Sequence, residues 1–140
     1  VADYIAKNFL PVKIHIKEQP AVFGRFGARW TPTLLVLDSD GVERHRLQGF
    51  LPADDLLAQL ELGLAHSAFA RQQWAQAEQH YRQVVAQFPK TEAAPEALYW
   101  AGVAKYKATN DPAALRNTAQ QFKEKYTGTS WATKASVWAG

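Results

Sequence analysis

Cysteine is absent from all 140 residues, which excludes a disulfide, a thiolate metal site and a cysteine nucleophile within the chain. Methionine is absent too, even at position 1, and the first residues, Val1-Ala2-Asp3-Tyr4-Ile5, lack the build of a signal peptide, so the chain is expected to be a piece of a longer protein. No apolar run approaches the roughly 18 residues that a membrane span requires. There is no basic run either. The formal charge is only +3. Residues 1–65 hold 7 Lys+Arg against 8 Asp+Glu and residues 66–140 hold 9 against 5, but the second set is spaced as a solvated helix surface would be, so nucleic acid is not an expected partner. The chain also lacks a glycine-rich phosphate loop, a serine in a nucleophile elbow and a defensible carboxylate pair. Its histidines, His15, His45, His66 and His80, show no ligand spacing, and His15 and His45, flanked by Lys or Arg, read as surface residues. No catalytic residue, metal site or cofactor is expected within these residues.

What is present suits a globular protein: 47% hydrophobic residues and 12% aromatic ones supply a core. Tyr4, Ile5 and Phe9 stand at helical spacing and predict the last turns of a helix over 2–9, closed by Pro11. Val12 to Ile16 alternates β-branched with polar residues and predicts a strand. Pro20 opens a short helix predicted through Arg29, with Ala21, Val22, Phe23, Phe26 and Ala28 as its apolar face.

The chain is organised around Trp30-Thr31-Pro32-Thr33. A proline cannot donate to a ladder, so Pro32 belongs at the mouth of a strand, where an X-Pro bond can also be cis, and Thr33 to Leu37 is that strand. Asp38-Ser39-Asp40-Gly41 is a tight turn, and Val42 to Gln48 returns antiparallel. The Asp38/Asp40/Gly41 spacing lacks the further oxygen ligands of a calcium loop. Gly49 ends the strand. From Pro52 a helix begins, with Asp54 and Asp55 at its positive end and Leu56, Leu57, Leu60 and Leu64 as its buried stripe.

This order of elements, with Trp30-Thr31-Pro32-Thr33-Leu34, then Asp40-Gly41, then Gly49, resembles the second half of the thioredoxin fold over about residues 1–65. The resemblance implies that Thr31, the residue before a cis-proline, offers its backbone N–H and C=O to an extended client peptide. It implies a groove formed by Trp30, Thr31, Pro32, Gly49 and Phe50; the plainer alternative is that Trp30 and Phe50 only pack the sheet edge. The family's redox-active Cys-x-x-Cys pair, and the strand before it, have no counterpart here. That strand lies in the family between those matching Val12–Ile16 and Thr33–Leu37, so a gap is expected in the sheet, and the sulfur chemistry of a parent protein would lie before Val1.

Beyond residue 65 the pattern changes to alanine, glutamine and aromatics at helical spacing. Glu61 to Ala70 and Ala75 to Phe88 predict two helices broken near Arg71-Gln72-Gln73-Trp74, with Ala77, Tyr81, Val84, Val85 and Phe88 on one face. Phe88-Pro89-Lys90-Thr91 with Ala94, Ala97, Trp100, Ala101 and Gly102 recurs as Tyr126-Thr127-Gly128-Thr129 with Ala132, Ala135, Trp138, Ala139 and Gly140, a shift of 38. Ala65 and Phe69 map to Gly102 and Tyr106 at a shift of 37, and the extra residue is expected in the turn Thr109-Asn110-Asp111-Pro112. Ala65, Ala77, Tyr81 and Pro89, then Leu98 to Gly102 with Tyr106, resemble tetratricopeptide repeats, with Leu115, Ala119 and Phe122 continuing the array. That resemblance implies a surface for an extended peptide or a partner helix.

The expected architecture is therefore α/β plus all-α. A partial thioredoxin-like sheet with flanking helices occupies 1–65, and an antiparallel helical array of about one and a half to two repeats occupies 66–140, the helix ending the first running straight into the second. Two functions follow from the resemblances: the client-handling part of a thiol–disulfide oxidoreductase or its redox-silent relative, or a non-catalytic interaction scaffold. The partner in both is a client protein or peptide. Cytoplasmic and periplasmic settings, and any oligomeric state, are compatible with these residues.

Overall fold

The computed structural model describes residues 1–140 throughout. Helix α1 (Ala2–Asn8) and helix α2 (Pro20–Arg25) come first and bury no residue. Strands β1 (Thr33–Leu37) and β2 (Glu43–Gln48) form a two-stranded antiparallel sheet, with Leu34 opposite Leu47 and Val36 opposite His45. The turn between them is held by Asp38, whose carboxylate accepts from the Asp40 and Val42 N–H groups at 2.9 and 3.0 Å and from Arg44 Nε at 2.8 Å. Those donors, the Val42 N–H foremost, hold the Asp38 carboxyl below the usual carboxylate range.

Five further helices follow: α3 (Ala53–Ala70), α4 (Trp74–Gln87), α5 (Ala93–Thr109), α6 (Ala113–Glu124) and α7 (Ser130–Ala135), the last running into a 3-10 turn over Ser136–Trp138. The core sits among α3, α4 and α5, where fully buried alanines such as Ala65, Ala77 and Ala97 let the helices approach and Leu62, Tyr81 and Val84 fill the space between. A second cluster of Leu98, Phe122 and Ala135 carries the array to α7. The sheet is attached to this body by α3. Val36, 4% exposed, is the deepest residue of β1, and a Cβ built on Gly63 of α3 would stand 2.8 Å from its Cγ2. Only glycine permits that approach.

The α/β plus all-α architecture is as expected, with local differences; of the stripe expected on α3 only Leu60 is buried, beside Ala58, Leu62 and Ala65. Val12 to Ile16 forms no strand, and Val12 is 75% exposed. A β-branched alternation gains its ladder only beside another strand. The sheet has two strands, β1 and β2, and this segment pairs with neither. The second helix ends at Arg25 rather than Arg29, because Gly27 takes a φ of +62° and turns the chain.

In the array the repeat is visible in hydrogen bonds as well as in sequence. Thr91 Oγ1 donates to the Phe88 carbonyl at 2.8 Å, and Thr129 Oγ1, shifted by 38, donates to the Tyr126 carbonyl at 2.7 Å. The second unit is longer at the end of α5, which runs to Thr109, the first residue of the expected turn. Three residues separate α3 from α4 and three separate α5 from α6, while α5 continues from Tyr106 to Thr109 and α3 ends at Ala70 directly after Phe69.

Candidate functional site

Backbone pairing across the open end of the hairpin assembles one corner. The Gly49 N–H donates to the Pro32 carbonyl at 2.9 Å, which brings Trp30-Thr31-Pro32 beside Gly49-Phe50. The Thr31–Pro32 peptide is cis, and Gly49 lies at a φ of +87°. Thr33 Oγ1 donates to the Trp30 carbonyl and closes the approach to β1. The N–H and C=O of Thr31 take no partner within the chain. Trp30 is 66% exposed and Phe50 85%, so two large apolar side chains stand in water at this corner.

Pairing alternates in an antiparallel ladder. Counting from the Pro32–Gly49 pair, Leu34 and Val36 bond to β2, and Thr33 and Leu35 turn their backbone groups to the outer edge of β1. The unpartnered edge therefore continues from Thr31 along the strand. All five residues expected to form the groove, Trp30, Thr31, Pro32, Gly49 and Phe50, lie at this end of the hairpin.

A polar cluster that the sequence did not reveal lies at the other side of the sheet. His45, expected on the surface, is half-buried, with its ring centroid 5.5 Å from that of His66 and its Nε2 2.7 Å from Gln59 Oε1. The reason is the period of two in a strand. His45 shares a face with the buried Leu47, and that face lies under α3, while Arg44 and Arg46 flank it on the opposite side. The buried Leu47 two positions on was the signal that could have placed it.

His66 is held by Tyr81 Oη at 2.7 Å from Nδ1 and by Glu96 Oε1 at 3.3 Å from Nε2. For a neutral ring both contacts are attractive only when Tyr81 donates to Nδ1 and the Nε2–H donates to Glu96. Elsewhere on α3, the buried Glu61 accepts from Tyr4 Oη and from His80 Nδ1, the latter at 2.6 Å, and ties α1, α3 and α4 together.

Burial pushes the His45 imidazole below its ordinary value of 6.5; the Gln59 bond opposes this, His66 adds to it, and Glu96 opposes it. The unfolded chain thus binds the His45 proton more readily than the folded one. The stabilising contribution is complete above pH 6.5 and is lost as the pH falls through that value toward the lower folded one. The expected outcome is a melting temperature that drops more between pH 7.5 and pH 5 for the native chain than for His45→Gln, measured by circular dichroism. Parallel curves for the two proteins would remove His45 as the cause.

Residues 1–64 match the family model described as a thioredoxin-like domain, and residues 57–91 and 96–129 match that of the tetratricopeptide repeat. The two matches overlap inside α3. No curated protein and no solved structure matches the chain.

Proposed function

We propose that this chain, a thioredoxin-like domain continued by tetratricopeptide repeats, is a polypeptide-binding module that holds an extended segment of a client protein at the Trp30–Pro32/Gly49–Phe50 corner. The observation that carries the reading is the coincidence, at one place, of the unpartnered N–H and C=O of Thr31 beside the cis-Pro32 and two exposed aromatic side chains. Unpaired N–H and C=O groups accept an added strand, and aromatic side chains beside them supply most of the binding energy. Residues 1–65 form the client-holding unit in this reading and residues 66–140 the repeat unit, with α3 shared between them.

The chain contributes no sulfur of its own. Its role is the client-handling part of a thiol–disulfide oxidoreductase, or of a redox-silent relative of one. A second reading, a non-catalytic scaffold that binds through the repeats alone, is favoured by the two tetratricopeptide-repeat matches over 57–91 and 96–129.

The two readings part on one experiment. Binding of a carboxymethylated, permanently unfolded polypeptide is measured by fluorescence anisotropy with the native chain and with the double variant Trp30→Ser/Phe50→Ser. The expected result is affinity weakened about tenfold or more, since each exposed aromatic anchor contributes about 1 kcal/mol or more, with the melting temperature unchanged because both side chains are already in water. Equal affinities would favour the scaffold.

A further inference from the structure

The hairpin is joined to the helical body through α3. Val36 and Leu47 are its only buried residues, and Val36 lies against Gly63. Arg71, just past the end of α3, donates to Ser39 Oγ in the turn. His45 stands in the middle of the contact, its Nε2 2.7 Å from Gln59 Oε1 and its ring centroid 5.5 Å from that of His66, both on α3. A two-stranded hairpin is marginal on its own in water, so the order of β1 and β2 depends on this contact. Two buried residues supply little apolar area, which leaves the polar contact at His45 a large share of what holds the joint.

Gln59 Oε1 can only accept, so His45 Nε2 carries the ring hydrogen and an added proton goes to Nδ1, which has no partner within the chain. The groups around the ring come from every neighbouring element. Strand β2 brings Glu43, Arg44 and Arg46, α3 brings His66, α5 brings Glu96, and α7 brings Trp131 with Lys134 over its ring. Tyr81 of α4 reaches His66 alone. Asp38 holds Arg44, Glu43 holds Arg46, and Glu96 lies 3.3 Å from His66, so each carboxylate near the ring is already engaged. A proton on His45 therefore puts a positive charge into a half-buried place without a carboxylate of its own. Burial is the main cause that keeps the imidazole below its ordinary value; His66 acts in the same direction, and Gln59 and Glu96 act against it.

We infer that the contact between the hairpin and α3 is an acid-operated joint: a proton taken up by His45 releases the hairpin while the helices stay folded. Once released, His45 stands in water and titrates at its ordinary 6.5, above its value in the closed joint. The joint is therefore fully held above pH 6.5 and weakens as the pH falls through that value toward the lower, closed one. One unit below 6.5 the released ring is protonated about ten to one, so release is favoured by up to about tenfold. Asp38, the other hairpin group with a displaced value, is held below its ordinary 3.8 and adds nothing at so mild a pH. Because the two strands do not persist alone, release also loosens the Pro32–Gly49 pairing that forms the corner. Acid then lets a client go. That consequence rests on the function proposed above; the joint itself does not.

The test needs no client. Since the chain has no cysteine, a single thiol placed in it is a clean reporter. Val36→Cys puts one in the joint, at a position 4% exposed, and Val84→Cys puts one in the helical core, at 0%. Each is labelled with dithiodipyridine, and the rates are divided by that of an unstructured thiol peptide at the same pH, which removes the titration of the thiol itself. At pH 7.5 the Val36→Cys thiol is expected to react faster than the Val84→Cys thiol, because the hairpin opens without the helices. Its corrected rate is expected to rise about three- to tenfold between pH 7.5 and pH 5.5. Adding His45→Gln is expected to hold that rate level, and His15→Gln, at an exposed position, to leave the rise intact. In the native chain, the His45 ring-proton resonance is expected to titrate with a midpoint below 6.5. The joint is overturned if the two thiols react at one rate, if acid brings no rise, if the rise survives in His45→Gln, or if His45 titrates at 6.5 or above.

Discussion

Tyr81→Ala lowers the free energy of unfolding by about 3–5 kcal/mol, the range for removing a fully buried aromatic ring. Tyr81 has no exposed surface and stands at the centre of the cluster that joins α3, α4 and α5. Its ring meets His66 at 5.4 Å and Phe69 at 6.4 Å between centroids, burial raises its phenol far above the ordinary range, and its hydroxyl lies 2.7 Å from His66 Nδ1. Alanine leaves a cavity and also strips His66 Nδ1 of its hydrogen-bond partner. Tyr81→Phe separates the two contributions: it keeps the ring and loses only the bond, at about 1–2 kcal/mol. Urea denaturation followed by circular dichroism measures both. A loss for Tyr81→Ala no larger than that for Tyr81→Phe would mean that the ring is not packed as described.

The second large effect is expected at Gly102. A Cβ built there would stand 2.8 Å from Thr118 Cβ on α6, closer than side-chain carbons approach. Thr118 has little freedom to retreat, because it is 2% exposed and its hydroxyl is bonded to the Ala114 carbonyl at 2.8 Å. Gly102→Val therefore pushes α6 away from α5 and costs about 1–3 kcal/mol. The loosening falls on the cluster of Leu98, Phe122 and Ala135, so amide hydrogen exchange is expected to speed up across 113–124 more than across α3 and α4. Gly24→Ala, where nothing lies within 4 Å of the added carbon, is the matched control and should leave the melting temperature nearly unchanged.

Much of this arrangement could be read from the residues because it rests on short-range regularities. The face of Ala77, Tyr81 and Val84 repeats at helical spacing, and all three have no exposed surface. Pro32, Asp40-Gly41 and Gly49 punctuate a hairpin that closes at those positions. The unexpected features depend on partners distant in sequence. Val12 to Ile16 has the composition of a strand, but a strand exists only beside another, and no local pattern tells whether one is there. Glu61 reads as one more charge on a helix surface, yet Tyr4 and His80 meet it from 57 positions before and 19 after. His45 and His66 lie 21 positions apart without ligand spacing, and only the packing of β2 under α3 brings their rings together. The corner at Thr31 was legible because the residues that form it, Trp30-Thr31-Pro32 and Gly49-Phe50, stand in two short motifs.

Where a client polypeptide lies decides between the two functions. The direct measurement is the perturbation of backbone amide resonances in the isotopically labelled chain as a carboxymethylated, unfolded polypeptide is titrated in. The amides of Thr31, Gly49 and Phe50, together with the Trp30 indole, are expected to shift first and furthest. Shifts confined to α3 through α7, with these four signals unmoved at saturation, would contradict a client at the corner.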